Sequence, residues 1–303
     1  MSKPENPDST TPSSTNTKST RKFTRRFAFP RTSDLPVQSP KYWVKEKDRY
    51  LRQILIEDIQ DLTERQLVVY FTSKGMIDFR DADDISEILD DCQTNEVDLL
   101  LQTPGGIIDA CEKVISVLKL RGGAYRVIIP SWAKSAGTII ALSSSSIVMG
   151  VNSELGPIDP QFNGIPAEFI RDDPEEKYPY KQIAESAISR TQKLASQVLS
   201  RGMLHGAEQV QIDDLVSQLS SAQRYSSHGA VINAEEAANL GLDITYLQPN
   251  EELWKKLWLL YCMYDYDCQR QGYAKVFEGA RVSIARPLQP GDKQSSGNSR
   301  ALS

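Results

Sequence analysis

The sequence contains few of the residues on which metal, disulfide and membrane proteins depend. Its 303 residues include two histidines and four cysteines, with no Cys-x-x-Cys pair and no histidine at metal-ligand spacing from a cysteine. The sequence therefore predicts free thiols that are buried or half-buried, and no metal site. No apolar run reaches the ~18 residues typical of a membrane-spanning helix. The N-terminus lacks the apolar segment of a signal peptide, so we expect a cytoplasmic protein without a transmembrane segment.

The charge and the two ends of the chain limit the kinds of partner. A formal net charge of -5 at pH 7 does not favour nucleic acid. Residues 1–42 predict a disordered basic tail, whose cluster RKFTRRFAFPR is solvated or makes a peripheral contact with acidic lipid, nucleic acid or a partner. Residues 287–303 predict a second disordered tail. The chain between them divides into a main domain, 43–250, and a C-terminal helix and strand extension, 251–286, which is a candidate oligomer contact.

Apolar patterns in the main domain alternate between strand spacing and helix spacing. The runs QLVVYFT (66–72), EVDLLLQ (96–102) and AYRVIIP predict strands, whereas residues 81–93 and 107–121 predict amphipathic helices. Later segments, among them a long run at 181–203, predict further helices. This alternation predicts an α/β fold with a mainly parallel sheet, in which the strand-to-helix turns meet at one edge.

Two of these turns carry residues suited to acyl transfer. In TPGG (103–106) the two glycines, Gly105 and Gly106, let the backbone approach another group closely before a helix begins. In WAKSAGT, Ser135 lies where a strand hands over to a helix, so its amide and that of Ala136 can face an oxyanion. Each turn taken alone is explained by tight packing between a strand and a helix. Together they predict a nucleophilic serine between two sets of amide donors.

A serine nucleophile needs a base, and the sequence offers several. His228, in a polar loop, is favoured over His205, which lies near a helix end. Lys177 and Lys181 are alternative bases near the start of the long helix. Lys134 is disfavoured because neighbours one apart on a helix do not face each other.

The segment SELGPIDPQF supplies a candidate for the third member of such a group. Asp159 lies between Ile158 and Pro160, in a restrained and extended backbone. There it orients the base, or it serves as an Asx-type turn residue.

The motifs DLLLQTPGG, IPSWAKSAGTIIAL, SELGPIDPQ and HGAVINAEEAANLGL, in this order, resemble the serine dehydrogenase proteinase family. That family is a branch of the superfamily of the Clp protease proteolytic subunit and signal peptide peptidase A. The resemblance covers roughly Trp43 to Leu247. It implies a Clp/crotonase-type fold of stacked ββα units, a helical segment after them, and homo-oligomers. It also implies a peptide or protein substrate, Ser135 as nucleophile, and the Gly106 and Ala136 amides as the oxyanion hole.

The sequence departs from the better-known relatives at the base. Asp159 stands about where the Clp subunit has its histidine, and His228 stands near the place of its aspartate. Signal peptide peptidases use a Ser-Lys dyad instead, and Lys177 and Lys181 lie near the offset of that lysine in archaeal forms. A serine peptidase without a cofactor is the favoured function. A catalytically inactive scaffold or binding protein, and crotonase-type thioester chemistry, are the alternatives. The run SSSS at 143–146 is a second departure.

Overall fold

The computed structural model describes residues 39–225 and 227–288, so most of both predicted tails, with the basic cluster, lies outside the described residues. The described residues form ten helices and eleven strands. The helices are α1 (Pro40–Lys45), α2 (Lys47–Thr63), α3 (Asp81–Asp90), α4 (Ile108–Gly122), α5 (Ala136–Leu142), α6 (Ala167–Asp172), α7 (Tyr178–Arg201), α8 (Gln209–Ser220), α9 (Ala234–Asn239) and α10 (Glu252–Gln271). The strands are β1 (Gln66–Thr72), β2 (Val97–Gln102), β3 (Arg126–Ile129), β4 (Trp132–Ala133), β5 (Ile147–Met149), β6 (Glu154–Leu155), β7 (Gln161–Phe162), β8 (Ile165–Pro166), β9 (Ile244–Tyr246), β10 (Tyr273–Glu278) and β11 (Ser283–Pro287).

Seven strands form the central sheet, in the order β11-β10-β1-β2-β3-β5-β9. Strands β1, β2, β3, β5 and β9 run parallel to one another. Strand β10 is antiparallel to β1, and β11 is antiparallel to β10. The prediction of an α/β fold with a mainly parallel sheet is therefore confirmed.

Both faces of the sheet are covered, and this explains why its strands are apolar nearly throughout. Successive side chains of a strand point to opposite faces. Leu67, Val69 and Phe71 of β1 pack in a core layer with α2 and α10. Val68 and Tyr70 belong to the opposite layer, which includes α3, α4, α5, α7, α8 and α9. In the described part of the chain, no helix is both long and apolar enough to cross a membrane.

The C-terminal segment 251–286 contributes to this same core. Arg52 of α2 donates from Nε to Glu278 Oε2 of β10 at 2.8 Å and forms an ion pair with Asp267 of α10. The Tyr264 hydroxyl donates to the same Glu278 carboxylate. All four side chains are buried, and removing one partner of a buried ion pair typically costs about 3–5 kcal/mol. The segment is thus tied to α2 and β1, and its contact with a second copy of the chain stays a prediction.

Several helix boundaries differ by a few residues from those predicted. Helix α1 begins at Pro40, inside the predicted tail, because Ser39 Oγ accepts from the Tyr42 amide and caps it. The helix predicted at 81–93 ends at Asp90. The helix predicted from 181 begins at Tyr178, because Pro179 fits the first turn, where a helix leaves its N–H groups without intrahelical partners.

Candidate active site

Short pairings beyond the ends of the parallel strands bring four segments side by side. Ile77 pairs with Gly106, and Thr103 pairs with Ala133. Strand β4 pairs with β6 in parallel, and Leu155 of β6 pairs with Ile232 in the segment before α9. The TPGG turn, the WAKS turn, the segment leading to Asp159 and the loop carrying His228 therefore meet at one edge of the sheet. Open α/β folds place their sites at this edge.

Ser135 lies directly before α5 in a backbone conformation that non-glycine residues rarely adopt. Its φ is 53° and its ψ is -120°, and such strain costs about 1–3 kcal/mol. The turn is held by the Gly137 amide, which donates to Lys134 O at 2.8 Å, and by the Lys134 amide, which donates to Thr103 O at 3.0 Å. Ser135 is half-buried. A strained strand-to-helix turn of this kind presents a serine hydroxyl at the sheet edge.

Two glycines allow the TPGG turn to pack against the Ser135 turn. A Cβ on Gly105 would lie 2.7 Å from both Ser135 Cβ and Lys134 O, and 3.1 Å from the Ala136 nitrogen. A Cβ on Gly106 would collide with the Ile77 backbone. Gly105 has a φ of 95° and Gly106 a φ of 156°. Both positions therefore require glycine, for space and for conformation.

The hydrogen bonds of the TPGG turn show that its two glycines have different roles. The Gly105 N–H donates to Thr103 Oγ1 at 3.3 Å, so it is already engaged. Ile77 donates to Gly105 O at 2.8 Å and accepts from the Ile107 amide at 3.1 Å. In this parallel pairing the N–H of Gly106 is directed away from Ile77. Of the two predicted donors, Gly106 is therefore the one with an N–H available, and Gly105 contributes mainly the close approach.

A buried ion cluster supports the segment behind Gly106. Lys275 Nζ of β10 donates to Asp78 Oδ2 at 2.7 Å and to Asp81 Oδ1 at 2.8 Å. The Asp78 amide donates to Asp81 Oδ2 at 2.9 Å. Asp78 follows Ile77 in sequence, so the cluster fixes the chain that pairs with Gly106.

Asp159 and His228 form a hydrogen bond across 69 residues of sequence. His228 Nδ1 lies 2.8 Å from Asp159 Oδ1, and Gln161 Nε2 donates to Asp159 Oδ2 at 3.2 Å. The Asp159 side chain is 5% exposed and the His228 side chain is 30% exposed. Because a carboxylate only accepts, Nδ1 carries the proton and Nε2 of the neutral ring is left as an acceptor. The pair has the arrangement that a base and its orienting carboxylate require.

The alternative bases lie in different surroundings. Lys177 is exposed and precedes α7, and Lys181 is half-buried in its first turn. Within residues 39–225 and 227–288, neither ammonium forms a hydrogen bond with Ser135, Asp159 or His228. A hydrogen bond from Arg171, and to a smaller extent the charge of Lys181, lower the pKa of the Asp172 carboxyl. His205 is exposed in the turn after α7.

The Lys134 ammonium is bound by three acceptor groups on other segments of the chain. Its Nζ lies 3.1 Å from Leu155 O, 3.0 Å from Ala230 O and 3.0 Å from Glu154 Oε1. The ammonium donates to the two carbonyl oxygens and forms an ion pair with the Glu154 carboxylate. The expectation that Lys134 is not the base is thus consistent with its hydrogen bonds.

Sequence reasoning missed two groups that hold the Ser135 turn in place. Thr138 Oγ1 is fully buried and lies 3.0 Å from Ala133 O and 2.8 Å from Gly156 O, joining β4 to the segment after β6. Cys111 of α4 donates to Ala136 O at 3.2 Å, and burial raises the pKa of its thiol. A threonine in a helix, three residues after a candidate nucleophile, is equally expected from ordinary packing. The sequence therefore does not indicate the hydrogen bonds of Thr138.

The run SSSS also has a structural reason. Ser143 Oγ donates to Ile140 O at 2.7 Å and Ser144 Oγ donates to Ala141 O at 2.7 Å, so both satisfy carbonyls at the end of α5. Ser145 Oγ donates to Tyr125 O at 3.0 Å, just before β3. The hydroxyls of Ser143 and Ser144 therefore cap the C-terminal end of α5, and that of Ser145 joins the following turn to the residue before β3.

Gly105→Ala is expected to destabilise the fold and to disturb the Ser135 turn. The matched control is Gly241→Ala, because Gly241 has a φ of 93° but a Cβ there meets nothing within 4 Å. The control should lose about 1 kcal/mol of unfolding free energy from conformation alone. Gly105→Ala should lose about 1–3 kcal/mol more, since its Cβ has no room. Urea unfolding measures both, and equal losses would contradict the packing described for Gly105.

The four cysteines are free, and one of them corrects the expectation of buried or half-buried thiols. Cys111 and Cys268 are buried and Cys92 is half-buried, but Cys262 is exposed on α10. Burial raises the pKa of Cys92 to about 11 and that of Cys268 to about 12. The described part of the chain has no cluster of three or more His, Cys, Asp or Glu residues able to hold a metal ion.

Iodoacetamide is expected to add one group per native chain rapidly, at Cys262, because reaction needs an accessible thiolate. Intact mass against time, followed by peptide mapping, measures this. The Cys262→Ser variant should lack the fast phase. Rapid native modification of Cys111 or Cys268 would contradict their burial.

A family model described as ClpP-like SDH-type serine proteinase matches residues 36–272. This match, over most of the α/β domain described above, identifies a ClpP-like protein. The chain belongs to the family of ClpP-like SDH-type serine proteinases. The family assignment and the Clp-type fold predicted from the motifs are confirmed.

Individual relatives add little about activity. An uncharacterised protein of Methanocaldococcus jannaschii is 34% identical over 174 residues, which are 53% of this chain and 59% of that protein. The match thus spans less than two thirds of this relative. A ClpP1 variant from Listeria monocytogenes is 16% identical, with a TM-score of 0.43 over 64% of this chain and 98% of its own. A variant of a membrane-bound stomatin-specific protease is 22% identical, with a TM-score of 0.40 over 63% of this chain and 84% of its own.

Proposed function

We propose that the chain is a serine peptidase that cleaves peptide bonds through an acyl-enzyme on Ser135. The observation that carries the proposal is the His228–Asp159 hydrogen bond of 2.8 Å. It forms between segments that the Leu155 pairings join to the Ser135 turn. A histidine held by a buried carboxylate, on a segment that pairs at the same sheet edge as a strained serine turn, can serve as the base that activates the serine hydroxyl near neutral pH.

In the acylation step, Ser135 Oγ attacks the carbonyl carbon of the scissile bond while its proton passes to His228 Nε2. Negative charge develops on the substrate oxygen, and the N–H groups of Gly106 and Ala136 stabilise it. Asp159 holds the imidazole in the required tautomer and stabilises the imidazolium. Collapse of the tetrahedral intermediate breaks the C–N bond, and His228 donates the proton to the leaving amine.

In the deacylation step, water attacks the acyl ester while His228 accepts its proton. The new acid leaves, the proton returns to Ser135 Oγ, and the free enzyme is restored. Ala136 is the first residue of α5, so its N–H has no intrahelical partner and remains available as a donor. The chain's own residues therefore supply each proton transfer in the cycle.

The experiment that tests this function follows hydrolysis by the purified full-length chain. An unfolded protein substrate and fluorogenic peptides should both yield new amine termini. An activated ester should give an initial burst of leaving group of at most one equivalent per chain, because the acyl-enzyme accumulates. No turnover and no burst from a folded chain would favour the inactive scaffold. Retention on a CoA resin with thioester hydrolysis would favour crotonase-type chemistry instead.

Assembly into homo-oligomers is part of the proposal and rests on the family resemblance. Light scattering of the purified chain measures the mass of the assembly. If the chain is a monomer and still hydrolyses peptides, the proposal of a homo-oligomer is refuted, whereas the proposed chemistry is unaffected.

A further inference from the structure

Lys134 connects the Ser135 turn to the segments that carry both other members of the proposed triad. Its side chain is 13% exposed and runs along Gly156, where a Cβ would lie 2.5 Å from Lys134 Cδ. The ammonium ends on Leu155 O, Ala230 O and the Glu154 carboxylate. Ala230 is two residues after His228, and Leu155 is four residues before Asp159.

Two of the three contacts are hydrogen bonds to carbonyl oxygens, and the third is an ion pair with the Glu154 carboxylate. The charged ammonium of this ion pair has no lone pair with which to accept a proton from Ser135. A proton-accepting role for Lys134 would require breaking these contacts, whereas a role in alignment requires keeping them.

The loop carrying His228 has few other anchors. The Ala230 amide donates to Ser227 O at 2.9 Å, and the Gly229 amide donates to Ser227 Oγ at 3.1 Å, so both bonds are local. Among the described residues 227–231, the bonds that reach another segment are His228 to Asp159 and Lys134 to Ala230. Ile232 then pairs with Leu155 through bonds of 2.9 and 3.0 Å. Lys134 therefore anchors the loop at Ala230, two residues after the His228 side chain that Asp159 holds.

We propose that Lys134 is a positioning residue that aligns His228 with Ser135 by holding the Ala230 carbonyl. This inference rests on the proposed function, because alignment matters only if His228 serves Ser135. The lysine is well placed for this task, since it follows Ala133 of β4 and directly precedes Ser135. One side chain thereby sets the distance between the nucleophile turn and the loop of the base.

The test compares Lys134→Met with Lys256→Met. Methionine keeps most of the apolar stem beside Gly156 and removes the three donors. Lys256, 23% exposed and bonded to Asp58 Oδ2 at 2.9 Å, is a matched lysine of α10 on the other layer. We expect Lys134→Met to lower kcat by roughly 10- to 100-fold, as a small misplacement of a reacting group does, with KM changed less than about threefold. Lys256→Met should keep kcat.

A second readout follows the ring signals of the two histidines by NMR, with His205 as the internal reference. In the native chain His228 should show a protected Nδ1–H because it donates to Asp159. Lys134→Met should broaden or shift the His228 signals and leave those of His205 unchanged. A purely structural lysine would lower the melting temperature without moving kcat or the His228 signals.

Glu154→Ala keeps the inference testable if Lys134→Met does not fold, because Glu154 is half-exposed and its removal loosens the ammonium from one side. It should lower kcat about two- to fivefold without raising KM, a modest share of the alignment effect. Unchanged kcat and unchanged His228 signals in the folded variants would overturn the role of Lys134. An inactive native chain would instead refute the proposed function, and the His228 signals would still report the placement.

Discussion

Ser135→Ala is expected to abolish peptide hydrolysis, lowering kcat by about 10³- to 10⁶-fold. The hydroxyl oxygen supplies the electron pair that forms the acyl-enzyme, and alanine has no such group. Any residual rate would come from the amide donors and substrate binding alone. Ser135 is half-buried and alanine adopts its φ of 53° no less readily, so the free energy of unfolding should change by less than about 0.5 kcal/mol.

Ser131→Ala is the matched control, because Ser131 is a half-buried serine four residues earlier on the same segment. It should retain full activity. Steady-state kinetics of both variants, with urea unfolding to show that each is folded, measure the effect. A folded Ser135→Ala chain that hydrolyses peptides at the native rate would contradict the role of Ser135.

His228→Gln is expected to lower kcat to nearly the same extent as Ser135→Ala. The effects of residues that act as a unit are not additive. The double variant, Ser135→Ala with His228→Gln, should therefore be no slower than either single variant. Asp159→Asn should lower kcat by about 10²- to 10⁴-fold, because the amide favours the wrong tautomer of the imidazole. Kinetics of the three single variants and the double variant under one set of conditions measure this order.

Lys177→Met and Lys181→Met distinguish His228 from the alternative bases. Lys177 is exposed, Lys181 is half-buried, and neither forms a hydrogen bond with His228 or Asp159 in the described part of the chain. Both variants should keep kcat within about twofold, the range of ordinary surface substitutions. A loss in either variant that exceeds the loss in His228→Gln would assign the base to that lysine.

The features that could be predicted from the sequence are the local ones. TPGG and WAKSAGT each combine a strand end, a helix start and small residues within a few positions, so their turns follow from short-range geometry. The antiparallel insertion of β10 beside β1 could not be predicted. A strand pattern fixes which faces are apolar, but it does not fix which neighbour a strand pairs with.

The pairing of Asp159 with His228 depends on contacts between distant parts of the sequence. Asp159 and His228 were candidates because of their local backbone, but their hydrogen bond spans 69 residues and needs the pairing of Leu155 with Ile232. The contacts of Lys134 could not be predicted either. Its position beside Ser135 in the sequence does not indicate its three acceptors, one of which lies in a loop 96 residues away.

The most direct test of a nucleophilic Ser135 is labelling of the native chain with a fluorophosphonate probe, followed by peptide mapping. The expected result is one adduct per chain, on Ser135 Oγ, that forms in native protein and in Ser131→Ala but not in Ser135→Ala or in heat-unfolded protein. An adduct of equal yield in Ser135→Ala, or a folded native chain that hydrolyses peptides without being labelled, would contradict it.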